Sequence, residues 1–335
     1  MSTAESVAHP NIALSKYWGK RDGTPGGANI PAVPSLSVTL RGMTTRTRVR
    51  FRDDLAADSL VLDGREADGK ARERASAMLD RVRTASGEKR FAEVTSHNDF
   101  PTASGLASSA SGFAALALAA TRAARLDWDA AQVSDLARRS SASAARSVYG
   151  GFVELDPAQA EDGVLAARPV APGDHLDLHI LVAVTTEGAK TLGSTDGMRT
   201  TAEKSPYYAA WLDAAPRMHV RLRAALLARD FAELGALAEA SAMAMHASAI
   251  AAGIVYWNGA TLAALATVHA LRREGTPVFA TIDAGPHVKV LALGPSDARI
   301  AQAALEETAG VLRVIATQPG EGARTRAEDE KGART

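Results

Sequence analysis

The 335-residue sequence contains no cysteine, so it can form neither a disulfide bond nor a thiolate metal site. Aromatic residues make up only 5% of the chain, and the formal net charge is zero. A balanced charge argues against bulk nucleic-acid binding and against attachment to an anionic membrane surface. The absence of cysteine fits a reducing compartment, and the cytoplasm is the predicted location.

Long apolar runs are also missing. The first 20 residues lack a basic segment followed by an apolar one, so no secretion signal is predicted. The apolar stretch at 112–124 is interrupted by Arg122 and is too short to span a membrane, which indicates a buried helix. With 46% hydrophobic residues the chain can bury a sizeable core, and its length suits two domains.

Strand patterns dominate the first part of the chain and helical patterns the second. Strands are predicted at 35–40, 44–51, 60–64, 91–97, 278–285 and 288–293, and helices at 67–86, 108–126, 128–140, across most of 206–275, and at 296–310. Ser296 or Asp297 is the predicted N-cap of the last helix. This mixture predicts an α+β fold with domains at 1–185 and 186–320. The charged tail at 321–335 lacks apolar residues and is predicted to be disordered.

The segment PTASGLASSASG at 101–112 places small residues directly before an apolar helix. Helix N-termini carry unpaired N–H groups and partial positive charge, and small residues let a phosphate approach them closely. Gly105 can take a tight turn, and Ser108 and Ser109 can cap the helix or offer hydroxyls to a phosphate. No Gly-Lys-Ser/Thr follows, so this is not a Walker A loop. The residues alone leave open a phosphate loop and an ordinary Ser-capped helix.

The loop resembles that of the GHMP kinases, and within them the chain is most similar to the mevalonate diphosphate decarboxylases. The shared segments occur in family order between about residues 8 and 320: NIALSKYWGKRD, FPTASGLASSASGF, ARSVYGGFVEL, STDGM, MHAS and IDAGPHVKVL. The resemblance implies a two-domain GHMP kinase-like α+β fold. Its N-terminal domain would be like domain 2 of ribosomal protein S5, and its C-terminal domain would be a GHMP-type α+β domain.

The same resemblance implies a reaction and its cofactors. Mevalonate 5-diphosphate and ATP would be converted into isopentenyl diphosphate, ADP, phosphate and CO2, a step of isoprenoid biosynthesis by the mevalonate pathway. Magnesium would arrive with ATP, and no protein-held metal is predicted because the histidines show no metal-ligand spacing. The family also implies a homodimer. The residues expected to bind the nucleotide are Ser96, Ser104, Gly105, Leu106, Ala107, Ser108 and Ser109.

Asp283 is the predicted catalytic carboxylate. It follows an apolar strand and precedes Ala-Gly-Pro, so a turn can expose it. There it could accept the proton of the substrate's 3-hydroxyl or orient that hydroxyl towards the γ-phosphate of ATP. An isolated aspartate before Gly-Pro is more often a turn former, but the resemblance favours catalysis. Lys16 resembles the family lysine that pairs with this aspartate.

Arg146 is predicted to hold the C1 carboxylate of the substrate, because a guanidinium can grip a carboxylate with two hydrogen bonds. By resemblance, Ser141 and Ser143 lie alongside it. The usual Gly-Ser-Gly-Ser-Ala of the family is Ser-Ser-Ala-Ser-Ala at 140–144 here. Ala142 cannot adopt a positive φ as freely as glycine, so the local backbone is expected to differ.

Tyr17 and Lys20 resemble the family's contacts to the diphosphate, and Ser194 and Thr195 belong to the stretch that lies near it. Without the resemblance, KYWGKRD at 16–22 would be interpreted as a solvated basic turn. Asp196 is an unusual neighbour for a phosphate and is expected to point away.

Other functions remain open on these residues. A relative with the same fold could act on the monophosphate, or could be a mevalonate 3-kinase that stops at the 3-phosphate. A non-catalytic ATP-binding regulator is a further alternative, which intact Lys16, Arg146 and Asp283 argue against. His246 is expected to support the site rather than to react.

Overall fold

The computed structural model describes residues 3–21, 29–67, 69–100, 108–188 and 192–326, and these form three sheets and their covering helices. The first sheet contains β1 (Thr3–Ala8), β4 (Thr45–Arg52), β5 (Ser59–Leu62), β6 (Arg65–Glu66), β7 (Phe91–Asn98) and β14 (Arg324–Thr325). Their order is β14-β1-β4-β7-β5-β6. Buried and exposed positions alternate along β4, so that Val49 and Phe51 face the core.

Three helices form that core with the first sheet: α1 (Gly69–Ser86), α2 (Ser108–Ala123) and α3 (Ala130–Ser140). Alanine occupies most buried positions of α2, so this helix packs closely against the sheet and against α3. Asp129 caps α3, where its side chain accepts from Gln132 N–H and Gln132 returns a bond to the Asp129 backbone. The helix predicted after the small-residue loop is therefore a central packing element.

The other two sheets are antiparallel and four-stranded. One contains β2 (Asn11–Ser15), β3 (Ser35–Thr39), β8 (Phe152–Leu155) and β9 (Arg168–Ala171), in that order. The other contains β10 (Leu178–Val184), β11 (Phe279–Thr281), β12 (Val288–Leu293) and β13 (Arg313–Thr317), in the order β11-β12-β10-β13. The remaining helices are α4 (Ala142–Arg146), α5 (Ser194–Lys204), α6 (Tyr208–Leu227), α7 (Phe231–Ala251), α8 (Gly259–Arg273) and α9 (Gly294–Glu306).

The predicted domain boundary at 185/186 does not match the sheets. Strand β10 pairs with β12 and β13, so it belongs to the sheet of the C-terminal half although it precedes residue 185. One apolar core joins Leu14 and Phe152 of the N-terminal half to Leu234 and Leu291 of the C-terminal half. The two halves therefore share a continuous core, and this contact brings the ends of β2 and β11 together.

Two local predictions are wrong. Helix α9 begins at Gly294 with Leu293 as N-cap, ahead of the predicted Ser296 or Asp297. Pro295 explains the earlier start, because its fixed φ suits the first helical turn and its missing N–H is not needed there. The tail predicted to be disordered from residue 321 is ordered at its beginning, since Arg324 and Thr325 pair with β1.

Within the described ranges, α7 is long and apolar enough to cross a membrane by length and composition. More than half of that stretch is buried inside the protein, against α6 and the third sheet. Core helices of globular proteins commonly have this composition, and α7 supplies Leu234, Leu237 and Ala238 to the shared core.

Candidate active site

A cavity of about 470 Å³ lies where the end of β2, α4, the first turn of α5 and the loop after β11 meet. All of the residues predicted to be catalytic or to bind substrate line it, and so does one residue of the predicted nucleotide loop: Lys16, Tyr17, Lys20, Ser141, Ser143, Arg146, Ser194, Thr195, Asp283 and Ser109. These residues come from both halves of the chain, so the shared core assembles the cavity.

Asp283 follows β11 and has an ammonium group beside each carboxylate oxygen. Lys16 Nζ donates a 2.9 Å hydrogen bond to Oδ1, and Lys289 Nζ lies 3.2 Å from Oδ2. Burial favours a raised pKa for Asp283, but the two ammonium groups outweigh it and hold the pKa well below its usual range. A quarter of the side chain remains exposed. The carboxylate is therefore ionised at neutral pH and still accessible at the cavity wall.

Lys16 is fixed through both its backbone and its side chain. It follows the end of β2, where the pairing with β3 shifts register between Ala13 and Ser15. Its backbone N–H donates to Ser241 Oγ at 2.9 Å, and its ammonium donates to Ala13 O at 2.7 Å as well as to Asp283. Burial lowers the pKa of Lys16 to about 8, although Asp283 acts in the opposite direction.

His246 supports the same loop from α7. Its Nε2 lies 2.8 Å from the backbone carbonyl oxygen of Asp283. Burial lowers the pKa of His246 to about 4, so at neutral pH the ring is neutral and Nε2–H donates to that carbonyl. The histidine fixes the Asp283 backbone and does not line the cavity, which agrees with the supporting position expected for it.

Arg146 is buried at the end of α4, and neutral oxygens hold three of its five N–H donors. Nε donates to Ser37 Oγ at 2.9 Å, Nη1 to Ser35 Oγ at 2.7 Å, and Nη2 to Asn11 Oδ1 at 3.3 Å. Among the described residues, these bonds leave one N–H on each terminal nitrogen. Burial lowers the pKa of Arg146 to about 10, so the side chain remains a cation at neutral pH. A guanidinium held in this way in the lining of a cavity suits a carboxylate.

Ser141 and Ser143 lie beside Arg146, with their hydroxyl oxygens 3.1 Å apart. Ala142 is the first residue of α4 and is not among the non-glycine residues with positive φ. The alanine therefore fits a helical start that needs no positive φ. Asn11 connects this segment to β2, because its Nδ2 donates to Ser143 O and to Ser147 Oγ.

The opposite part of the cavity wall is basic and includes residues that the sequence analysis missed. Lys70 and Arg74 lie one turn apart on α1 and line the cavity with Lys20. Burial lowers the pKa of Lys20, with a further lowering effect from Arg74 and an opposing one from Asp196. Asp196 lines the cavity as well, 3.2 Å from Arg199, so it does not point away as expected. The sequence signal that could have indicated Lys70 and Arg74 is their spacing, because basic residues four positions apart lie on the same face of a helix.

A second cavity, of about 590 Å³, adjoins the first. Its wall combines apolar side chains of β5 and α2 with Ser96, Ser108 and Ser109. Ser96 Oγ lies 2.8 Å from Thr47 Oγ1. Arg74 and Ser109 line both cavities, and the Arg74 guanidinium carbon lies 4.5 Å from the centroid of the Phe113 ring. The other predicted nucleotide contacts fall outside the described residues: Ser104, Gly105, Leu106 and Ala107.

In the part of the chain that the structure describes, no group of three or more His, Cys, Asp or Glu residues is arranged to hold a metal ion. The acidic residues of the first cavity are Asp196 and Asp283, and the latter is already paired with two lysines.

Comparison with known proteins shows the family of the chain. The family described as diphosphomevalonate decarboxylase-like N-terminal domain matches residues 8–166. The family described as mevalonate 5-diphosphate decarboxylase C-terminal domain matches residues 180–308. The chain belongs to the diphosphomevalonate decarboxylase family. Its two-domain α+β fold is the GHMP kinase-like fold that the sequence predicts, and this prediction is confirmed.

Relatives of this decarboxylase family cover nearly the whole chain. The diphosphomevalonate decarboxylase mvd1 of Aspergillus fumigatus is 33% identical over 95% of this chain and 82% of its own length. The phosphomevalonate decarboxylase of Haloferax volcanii is 35% identical over 86% of this chain and 87% of its own. A structure described as MDDEF in complex with MVAPP, AMPPCP and magnesium superimposes with a TM-score of 0.88, is 35% identical, and covers 97% of this chain and 98% of that one.

Proposed function

We propose that this protein catalyses the ATP-dependent decarboxylation of mevalonate 5-diphosphate to isopentenyl diphosphate, with release of ADP, phosphate and CO2. The observation that carries the proposal is the pairing, in the lining of one cavity, of an ionised carboxylate with a buried guanidinium that neutral oxygens hold in place. Asp283 supplies the first and Arg146 the second. The Asp283 carboxylate suits the reacting hydroxyl of the substrate, and the Arg146 guanidinium suits the substrate carboxylate.

The first step is phosphoryl transfer to the 3-hydroxyl. The hydroxyl oxygen forms a bond to the γ-phosphorus of ATP, and the bond to the bridging oxygen breaks to release ADP. Asp283 accepts a hydrogen bond from the hydroxyl and orients it for in-line attack. Its depressed pKa makes it a weak base, so we expect the proton to pass to the Asp283 carboxylate late, when the oxygen has become acidic through phosphorylation.

The second step is the loss of phosphate and CO2. The C3–O bond breaks with its electrons going to phosphate, and the electrons of the C1–C2 bond form the new double bond between C2 and C3. Arg146 holds the C1 carboxylate so that the C1–C2 bond stays aligned with the departing group. Its three bonds to neutral oxygens fix the guanidinium before substrate arrives, which lowers the entropic cost of binding.

ATP fits the second cavity, with its phosphates directed towards the first. The apolar wall beside α2 offers a surface for a purine, and Ser108 and Ser109 begin α2 where its N–H groups carry partial positive charge. Arg74 and Ser109 line both cavities, so they can contact the phosphates between nucleotide and substrate. Magnesium would be held mainly by those phosphates, where it neutralises the charge that develops during transfer.

The direct test incubates the wild-type protein with ATP, Mg²⁺ and mevalonate 5-diphosphate, and follows ADP and CO2 together. We expect the two products in equal amounts, because the carboxylate and the hydroxyl are held in one cavity. ADP with a stable 3-phosphate and no CO2 would make the protein a mevalonate 3-kinase. Nucleotide binding without any turnover would make it a regulator on this fold.

Mevalonate 5-phosphate is a second candidate substrate. Asp196 lies in the first turn of α5 within the cavity, where it opposes the extra negative charge of a diphosphate. A phosphomevalonate decarboxylase is also among the relatives of similar identity. Steady-state assays with both phosphates decide the matter, and a higher kcat/KM for the monophosphate would replace the diphosphate assignment.

Replacing Lys20 by alanine should mainly raise the apparent KM for the mevalonate phosphate. Lys20 lines the basic part of the cavity with Lys70 and Arg74, so its ammonium is placed to contact the terminal phosphate groups. We expect this KM to rise about 10- to 100-fold, since a charge-assisted hydrogen bond contributes about 1.5–3 kcal/mol. Lys204→Ala, an exposed lysine at the end of α5, serves as the control. An unchanged substrate KM would place Lys20 outside the binding site.

We further propose that the enzyme acts in the cytoplasm as a homodimer. The lack of cysteine supports a reducing compartment. Large exposed apolar side chains on α6, including Val220 and Leu227, offer surface for a subunit contact. Sedimentation equilibrium of the purified protein tests the dimer, and a single species at monomer mass would exclude it.

A further inference from the structure

Lys289 is a buried lysine near the start of an inner strand of its sheet. It lies in β12, between β11 and β10, where it pairs with Thr281 and Val182. Its side chain is 1% exposed, and its neighbour on the same face of the strand, Leu291, belongs to the shared apolar core. Burying an ammonium group among apolar side chains is costly unless an opposite charge compensates it.

Asp283 provides that compensation. Lys289 Nζ lies 3.2 Å from Asp283 Oδ2, and no described residue gives this ammonium a well-aligned hydrogen bond. Lys16, by contrast, has two acceptors, Ala13 O and Asp283 Oδ1. Lys16 lines the cavity and Lys289 does not. The charge of Lys289 therefore acts on the reaction only through Asp283, from the side away from the substrate.

We propose that Lys289 is a positioning residue of the decarboxylation reaction: it fixes the Asp283 carboxylate against the β12 wall and keeps it ionised while substrate binds. This inference rests on the proposed function and adds a residue to it. Two ammonium groups on opposite oxygens restrict rotation of the carboxylate, with Oδ2 buried beside Lys289 and a quarter of the side chain still exposed at the cavity. A carboxylate held in this way accepts the hydrogen bond of the 3-hydroxyl in one geometry.

The arrangement also predicts how the proton of the hydroxyl behaves. A carboxylate between two cations is a poor proton acceptor, so it orients the hydroxyl without removing its proton before attack. Loose phosphoryl-transfer transition states need little deprotonation of the nucleophile, so such a weak base suffices. If Lys289 is neutralised, Asp283 becomes a stronger base but a poorly oriented one, and it can be protonated at mildly acidic pH.

Among the described residues, the titratable groups near Asp283 are few enough for a pH profile to be interpreted. They come from the segment after β2 and from α4, α7 and β12, and they are Lys16, Tyr17, Arg146, His246 and Lys289. Burial lowers the pKa of Arg146 to about 10 and that of His246 to about 4, and it raises the pKa of Tyr17 above its usual range. None of these three changes protonation between pH 5 and 7.5, and Lys16, with a pKa of about 8, begins to lose its proton only at the upper end of that range, so it does not produce an acid limb.

The test replaces Lys289 with methionine, which has similar length and no charge, and measures kcat from pH 5 to 8 with the full substrate pair. We expect kcat at pH 7.5 to fall about 100-fold, the scale for a misplaced reacting group. We also expect a new acid limb. The active form of Asp283 is ionised, so activity is lost as pH falls through its pKa, and removing one cation moves that loss to higher pH. Lys289→Arg keeps the charge and should keep the wild-type profile.

Three comparisons distinguish a positioning role of Lys289 from a purely structural role. Leu291→Met alters packing on the same face of β12 without changing charge, and it should leave the profile unchanged. Thermal unfolding and ADP binding show that each variant is folded. In an Asp283→Asn background, Lys289→Met should cost little further activity, because the carboxylate it acts on is gone.

The outcomes are distinguishable. A wild-type protein that turns over, together with a Lys289→Met variant whose kcat and pH profile match those of the wild type, would overturn this inference alone. A full additional loss from Lys289→Met in the Asp283→Asn background would do the same. A wild-type protein without decarboxylation would overturn the proposed function, and the assignment of Lys289 with it.

Discussion

Replacing Asp283 by asparagine should lower kcat by at least about 100-fold, the scale for losing a positioned acid–base group, while ATP still binds. Asparagine keeps the shape of the side chain but removes its charge, and its amide nitrogen offers a donor where the hydroxyl needs an acceptor. The second cavity does not include Asp283, so the nucleotide keeps its contacts there.

The structure adds a second reason for a large effect. Lys16 and Lys289 are both buried, with side chains 1% exposed, and Asp283 is the counter-charge that they share. Without it, the pKa of Lys16, which is already lowered to about 8 by burial, falls further. Asp283→Asn therefore removes the positive charge of Lys16 at neutral pH as well as the carboxylate.

This loss of charge gives the variant a distinct stability profile. A lysine with a lowered pKa in the folded state binds its proton more weakly there than in the unfolded chain. The free energy of unfolding then rises with pH between the folded-state pKa and the ordinary lysine value. The folded-state pKa of Lys16 is lower in Asp283→Asn than in the wild type, so the variant's deficit in Tm should shrink as the pH is raised from 7 to 9.

Asp135→Asn is the matched control for Asp283→Asn. Asp135 is also a buried carboxylate that bonds to two cationic side chains, Arg138 and Arg139, but it lies outside the cavity. The Asp135→Asn variant should be less stable than the wild type, without a decrease in kcat comparable to that of Asp283→Asn. Near-normal turnover by a folded Asp283→Asn variant would remove Asp283 from the reaction.

The sequence predicts the parts of this site that depend on local pattern. Asp283 could be placed at an exposed strand end because an apolar run precedes it and Ala-Gly-Pro follows it. The helix after the small-residue loop was predictable from its apolar run. The α+β class followed from a first part dominated by strand patterns and a second part dominated by helical ones. In each case the information lies within about ten residues.

Contacts between distant segments could not be predicted in this way. Arg146 is held by Ser35 and Ser37, more than 100 residues away along the chain, and nothing in a run such as SLSVTL indicates an arginine partner. Lys289 had a local signal, a lysine inside the apolar run VKVLAL, but its meaning depends on Asp283 facing it across a turn. Strand β10 was assigned to the wrong half because sheet membership depends on pairing rather than on sequence position.

Replacing Arg146 by alanine should uncouple the two steps of the reaction. The guanidinium donates three N–H groups to Ser35, Ser37 and Asn11, so it is held rigidly in the lining of the cavity where we propose that it binds the substrate carboxylate. Without that grip the carboxylate can rotate, and the C1–C2 bond no longer stays aligned with the departing phosphate. We expect CO2 release to fall about 100- to 1,000-fold, the scale for removing a preorganised donor.

The ratio of CO2 to ADP distinguishes this effect from general damage to the cavity. Phosphoryl transfer depends on Asp283 and the nucleotide, so Arg146→Ala should still form ADP slowly, and ADP should exceed CO2. Arg146→Lys keeps the charge but cannot offer two parallel donors. Compared with Arg146→Ala, it should therefore recover substrate binding more fully than it recovers the ratio of CO2 to ADP. Arg138→Ala is the control, because Arg138 is equally buried at 2% exposure but lies outside the cavity. It should lower Tm and leave the ratio at one. Equal CO2 and ADP at the wild-type rate from folded Arg146→Ala would show that the carboxylate is held elsewhere.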